Sequence, residues 1–138
     1  MMSDDPARSG ERPWGDAPSP YLQIGGATGV RDLVDAFYDL IESESPVLRA
    51  MLPDDTSESR DKLFEFLSGW MGGPPLYWER RGHPALRMRH APFAIGSYEA
   101  EEWTRCMSAA VEGLTLSEEL SRFLVGELGR AALQLRNR

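Results

Sequence analysis

The chain has 138 residues, 41% of them hydrophobic, and its 22 acidic against 15 basic side chains leave a net charge of −7. That length suits one globular domain, and that charge excludes a nucleic-acid or anionic-membrane surface as the main partner. Cys106 is the only cysteine, which excludes an intrachain disulfide. No stretch approaches the roughly 20 apolar residues of a membrane-spanning helix.

Residues 1–19 are rich in Pro, Gly, Ser and Asp and read as a disordered tail, with Trp14 the one residue there inclined to pack. They carry no apolar run of the kind a signal peptide needs. With the lone thiol, this leads to the expectation of a cytoplasmic protein. The folded domain is expected over residues 20–138. From about Gly29 to Glu44, apolar residues fall at Val30, Leu33, Val34, Phe37, Tyr38 and Ile41, which is helical spacing. Pro46 to Met51 suits one short helical turn opened by proline. A second long helix is expected from Ser57 to Met71, with Leu63, Phe66, Leu67, Trp70 and Met71 on one face. Gly72 and Gly73 end it.

Residues 74–85 hold three prolines and one glycine and read mainly as loop. A short helix over Leu86–His90 is stopped by Pro92. The third long helix spans Ser97 to Glu112, with Trp103, Cys106, Met107, Ala110 and Val111 inward. The fourth opens at Thr115-Leu116-Ser117-Glu118, a capping-box pattern. It carries Leu120, Phe123, Leu124, Leu128, Ala131 and Leu135. No segment alternates with period two, so the chain is read as all-α. Periodicity alone permits a four-helix bundle as readily as any other helical packing.

The segment between the second and third long helices holds both histidines, His83 and His90. Arg80, Arg81, Arg87 and Arg89 stand there against one acid, Glu79. A histidine among arginines in a Gly/Pro-bounded segment suits a ligand that needs one imidazole and has anionic edges. Haem is such a ligand. The motifs GGPPLY (72–77) and GHPxLRxRHxPF (82–93) are followed by Glu102-Trp103 and Cys106-Met107 and preceded by Phe37-Tyr38. In this order and spacing they resemble the group II truncated haemoglobins, over roughly residues 20–137. The resemblance implies a two-over-two helical sandwich around haem b.

Taken alone, these residues have commoner fates. A histidine is usually a surface residue, two aromatics at helical spacing are usually core, and an arginine is usually solvated. The resemblance assigns roles instead. His90 matches the proximal iron ligand, while His83, between Gly82 and Pro84, is structural or faces a propionate. A zinc site built on both histidines would need further ligands that the sequence does not supply at suitable spacing. Arg89 matches the partner of a haem propionate, and Leu86, four residues before His90, matches a porphyrin contact. Phe37, Leu52, Leu63, Phe66, Leu67, Phe93 and Trp103 are the further expected contacts.

Tyr38 and Trp103 match the distal positions, where a phenol O–H or indole N–H stabilises a diatomic ligand. Ser59 faces the same ligand and is small enough to leave an entry path. Leu52 departs from the family pattern, which has an aromatic or histidine there. It leaves Tyr38 and Trp103 as the clear donors. Cys106 is expected to be buried and inert, without a basic partner.

The resemblance implies binding of oxygen and other diatomic ligands, oxygen transport included, or redox chemistry on nitric oxide or peroxide at the same iron. The chain has no Gly-rich dinucleotide fingerprint, so redox turnover would need an external reductase. A monomer or homodimer is expected. The alternative is a haem-free interaction or sensor domain on the same fold, for which Leu52 speaks.

Overall fold

The computed structural model describes residues 18–138; the expected tail, Trp14 included, lies outside them except for its last two residues. Among the described residues there are eight helices and no strand: α1 (Pro20–Ile24), α2 (Gly26–Glu44), α3 (Pro46–Arg49), α4 (Ser57–Trp70), α5 (Leu76–Arg81), α6 (Leu86–His90), α7 (Ser97–Glu112) and α8 (Glu118–Gln134). They form two compact units. One is the described chain from residue 18 up to Val34 together with Ser57–Pro84; the other is Asp35–Thr56 together with Ala85–Arg138.

In the first unit, α1 was not foreseen. Its signal is local: Ser19 Oγ accepts from the Leu22 amide, and Pro20 fills the first helical position. Gly25 and Gly26, both with positive φ, make the turn into α2, which therefore starts three residues earlier than expected. All six apolar residues read onto α2 are buried. In α4 the expected stripe is less complete. Leu67 and Met71 are buried, while Leu63, Phe66 and Trp70 are half-buried, and Glu65 lies inside instead. Gly73 has to be glycine, because a Cβ there would lie 2.5 Å from the Tyr21 ring.

The loop reading of residues 74–85 is corrected by α5. Its prolines and its glycine flank the helix rather than interrupt it, and Pro75 stands at its N-cap. Tertiary ion pairs to Glu65 hold its C-terminal turn.

In the second unit, α7 packs along α8, and α3 packs against α7. Gly129 permits the close approach, since a Cβ there would meet Thr104 Cγ2 at 3.2 Å. The helix α7 has the expected bounds. Its first turn is closed by Glu99, whose carboxylate accepts from the Gly96 amide at 2.7 Å. The cap of α8 is corrected: Ser117, not Thr115, is the N-cap, and its Oγ accepts from the Leu120 amide at 3.1 Å. The helix buries Leu120, Leu124, Leu128 and Ala132, so Phe123 lies off the stripe and is exposed. The C-terminal residues fold back on the 93–95 segment through Asn137, whose amide donates to the Ile95 carbonyl at 2.8 Å.

Candidate functional site

His90 ends α6, one of the shortest helices of the chain. The helix follows Ala85, a non-glycine residue at φ 44°. Within it, His90 Nδ1 lies 2.7 Å from the Leu86 carbonyl oxygen, one turn back. A carbonyl can only accept, so Nδ1 carries the proton and donates. In the neutral ring the lone pair is then on Nε2, and the hydrogen bond fixes the ring's orientation. That is the donor set a single imidazole needs to ligate a metal from its outer nitrogen. His90 is half-buried, and the Phe93 ring stands 6.3 Å from its own, tilted by 53°. Leu86 is half-buried and Arg89 exposed on the same helix, and Phe93 is 40% exposed.

His83 has a different setting. It is exposed in the other unit and stacks edge-on against Trp78, with ring centroids 4.7 Å apart. Among the described residues no three His, Cys, Asp or Glu side chains gather as metal ligands.

A second constellation joins α2 to α7. Phe37 is fully buried between two aromatic partners, Tyr38 at 5.2 Å and Trp103 at 5.1 Å, both edge-to-face. Tyr38 is buried and Trp103 half-buried. A charged network that the sequence reading missed holds these helices in register. Glu102, just before Trp103, accepts from Ser45 Oγ at 3.0 Å and from Arg105 Nε and Nη2 at 3.0 Å each. Arg105 also reaches the Glu44 carboxylate and carbonyl at the end of α2. Hydrogen bonds from Arg105 and then Ser45 hold the Glu102 carboxyl below its usual range, and Arg105 is pushed up in return. The only sequence signal was the spacing of Glu102 and Arg105 on one helical face.

Leu52 is half-buried in the loop after α3. Arg49 shapes this loop by donating to the carbonyls of Leu52, Pro53 and Asp54 at 3.0–3.4 Å. The loop's far end returns to α2 through Thr56 Oγ1, which donates to Glu42 at 2.9 Å.

The expected residues of α4 belong to the first unit. Ser59, Leu63 and Phe66 are half-buried and Leu67 is fully buried. The Phe66 ring meets Tyr77 edge-on at 6.5 Å. Beside them Glu65 is 4% exposed and accepts from Arg81 Nε at 2.6 Å and Arg80 Nη1 at 3.2 Å. Two of the four arginines first read as a cationic surround for a ligand are therefore bound to a buried carboxylate. The available signal was an acid inside the apolar run 63–67.

Cys106 is fully buried, as expected. Burial pushes its thiol up, and nearby Glu102 and Glu44 add to this. Arg105 does pull it down, contrary to the expectation of no basic partner, but is outweighed.

A family model for bacterial-like globins matches residues 19–137. The Group 2 truncated hemoglobin YjbI of Bacillus subtilis is 40% identical over 119 residues, covering 86% of this chain and 89% of that one. A Group II 2-on-2 hemoglobin from Agrobacterium tumefaciens superposes with a TM-score of 0.84 at 34% identity, over 89% of this chain and 97% of that one. A truncated oxygen-avid haemoglobin from Bacillus subtilis superposes with a TM-score of 0.81 at 39% identity, over 87% of this chain and all of that one.

Proposed function

The chain belongs to the bacterial-like globin family, among its group II truncated haemoglobins, and from this we propose that it is a haem b protein binding oxygen and other diatomic ligands at an iron held by His90. The observation that carries the reading is the Nδ1 hydrogen bond to the Leu86 carbonyl, which fixes the ring and leaves the lone pair on Nε2. When bound, haem supplies the iron at which a diatomic ligand is held or reduced.

The chain's own residues do the rest. His90 would hold the iron through Nε2, with the Phe93 ring beside its imidazole and Leu86 as a porphyrin contact. Arg89, exposed on the same helix, would pair with a propionate. Phe37, Leu52, Leu63, Phe66 and Leu67 would supply apolar contacts to the haem. Tyr38 and Trp103 would offer an O–H and an N–H to the bound ligand. Phe37, packed against both rings, keeps them in one arrangement. Ser59 is short and leaves room for entry. Nitric oxide or peroxide chemistry would use these same residues and draw electrons from outside the domain. No helix among the described residues is long and apolar enough to cross a membrane, which suits a cytoplasmic site of action.

The test is haem reconstitution of His90→Ala and His83→Ala beside the wild type, followed by absorbance. His90→Ala is expected to lose the native Soret spectrum and His83→Ala to keep it. The reverse pattern would transfer the ligand role to His83. A wild type with no Soret band after reconstitution would favour a haem-free domain.

A further inference from the structure

The function proposed above uses only Phe93 of the residues that line a cleft at the C-terminal end of α8. It encloses about 410 Å³, and Arg87, Ala91, Phe93, Arg136, Asn137 and Arg138 are among its walls. The walls are tied together. Asn137 Nδ2 donates to the Phe93 carbonyl at 2.8 Å, and Asn137 Oδ1 accepts from the Ile95 amide at 2.9 Å. The Arg138 amide adds a bond of 3.2 Å to the Ile95 carbonyl. Arg136 is anchored by its Nη1, which donates to Ser97 Oγ at 2.9 Å, and by its Nε, which donates to the Leu133 carbonyl at 3.3 Å. Every one of these acceptors is neutral.

No Asp or Glu side chain lines the cleft. Elsewhere in the described chain Arg81, Arg105, Arg122 and Arg130 each pair with a glutamate. Three arginines lining one cleft that holds no Asp or Glu side chain stand out in a chain with 22 acids against 15 bases. They concentrate positive potential in a concave site. The volume falls within the roughly 300–1,000 Å³ usual for small-molecule sites. Planar guanidinium forks match carboxylate and phosphate oxygens two at a time.

We infer that this cleft binds a small multivalent oxyanion, a polycarboxylate or phosphate compound gripped by Arg87, Arg136 and Arg138. Neither His90 nor Arg89 lines the cleft, so it should be available with or without haem.

Isothermal titration of citrate and of inorganic pyrophosphate into the full chain, apo and haem-loaded, at low salt tests this. Binding of one anion per chain is expected in both forms. Citrate binding alone would identify a carboxylate ligand, pyrophosphate binding alone a phosphate ligand, and either supports the site. Arg87→Gln and Arg138→Gln should each weaken binding roughly tenfold, as loss of one charge-assisted contact does. Arg122→Gln and Arg130→Gln remove the same charge elsewhere and should leave affinity unchanged. Matched thermal melts show that the variants are folded. Equal weakening by Arg122→Gln and Arg138→Gln would reduce the effect to diffuse charge and overturn the site. No binding to the wild type would overturn it as well. So would binding to the apo form that haem loading abolishes, since the anion would then be occupying the haem's own contacts.

Discussion

Arg81→Met should be far more damaging than Arg80→Met, although the two arginines are neighbours on α5 and share one partner. Glu65 is almost fully buried, and its carboxylate accepts from Arg81 Nε at 2.6 Å, Arg81 Nη2 at 3.4 Å and Arg80 Nη1 at 3.2 Å. The Arg81 side chain is 28% exposed and that of Arg80 57%. Truncating Arg81 leaves a buried carboxylate with one largely solvated donor. Loss of a charge-assisted hydrogen bond costs about 1.5–3 kcal/mol, and stripping one partner from a fully buried pair costs about 3–5 kcal/mol. The contact kept by Arg80 and the partial exposure of Arg81 place the loss near the lower figure, about 2 kcal/mol. That corresponds to roughly 6–8 °C in Tm for a domain of this size. Arg80→Met should cost under about 1 kcal/mol.

The pH dependence fixes the cause. Burial alone would raise the Glu65 carboxyl, but hydrogen bonds from Arg81 and Arg80, with their charges, outweigh it and hold the group below its usual range. A lowered folded-state pKa means that the stabilisation is complete above the unfolded value of about 4.3 and is lost as pH falls through the folded value. The gap between wild type and Arg81→Met should therefore be full at neutral pH and shrink below about pH 4. Thermal melts by circular dichroism across that range measure it. Equal losses for the two variants, or a gap that stays constant with pH, would refute the reasoning.

Trp103→Phe and Tyr38→Phe should each speed oxygen release from the haem-loaded protein by roughly tenfold, read by stopped flow. Their effects should not add, because both rings pack on Phe37. Ser59→Ala should change the rate little, and a strong rise there with no change at the two aromatics would sink this distal assignment. Cys106 should react with a thiol reagent far more slowly in native than in denatured protein, since burial raises its pKa and blocks access. Equal labelling rates would contradict its burial.

What was legible in the sequence follows the range of the interactions involved. The buried face of α2 could be read because its six apolar residues obey helical spacing within one element. The bounds of α7 could be read because Gly96 and Glu99 punctuate its start locally. The short helix that carries His90 was legible for the same reason. By contrast, α5 is held by Arg80 and Arg81 through a carboxylate some fifteen residues back, and local composition there favours a loop. The α8 cap lies two residues beyond the expected one because Thr115 and Ser117 both offer a hydroxyl, and it is Ser117 that accepts from the Leu120 amide.

The proposed site divides along the same line. His90 needs only its own helix: the carbonyl one turn back sets the tautomer, so a five-residue segment already determines which nitrogen can meet a metal. The aromatic donors need more, because Tyr38 and Trp103 lie on different helices and become one cluster only through Phe37. What keeps those helices in register is the Glu102–Ser45–Arg105–Glu44 network, with members separated by up to sixty-one residues. Periodicity cannot report such a pairing, since each member reads as an ordinary solvated residue on its own helix. The proposed metal bond thus rests on local geometry, while the arrangement of the proposed distal donors rests on polar contacts between distant segments. Substitutions at Glu102 or Ser45 should therefore act on ligand release through Trp103 and leave the His90 spectrum in place.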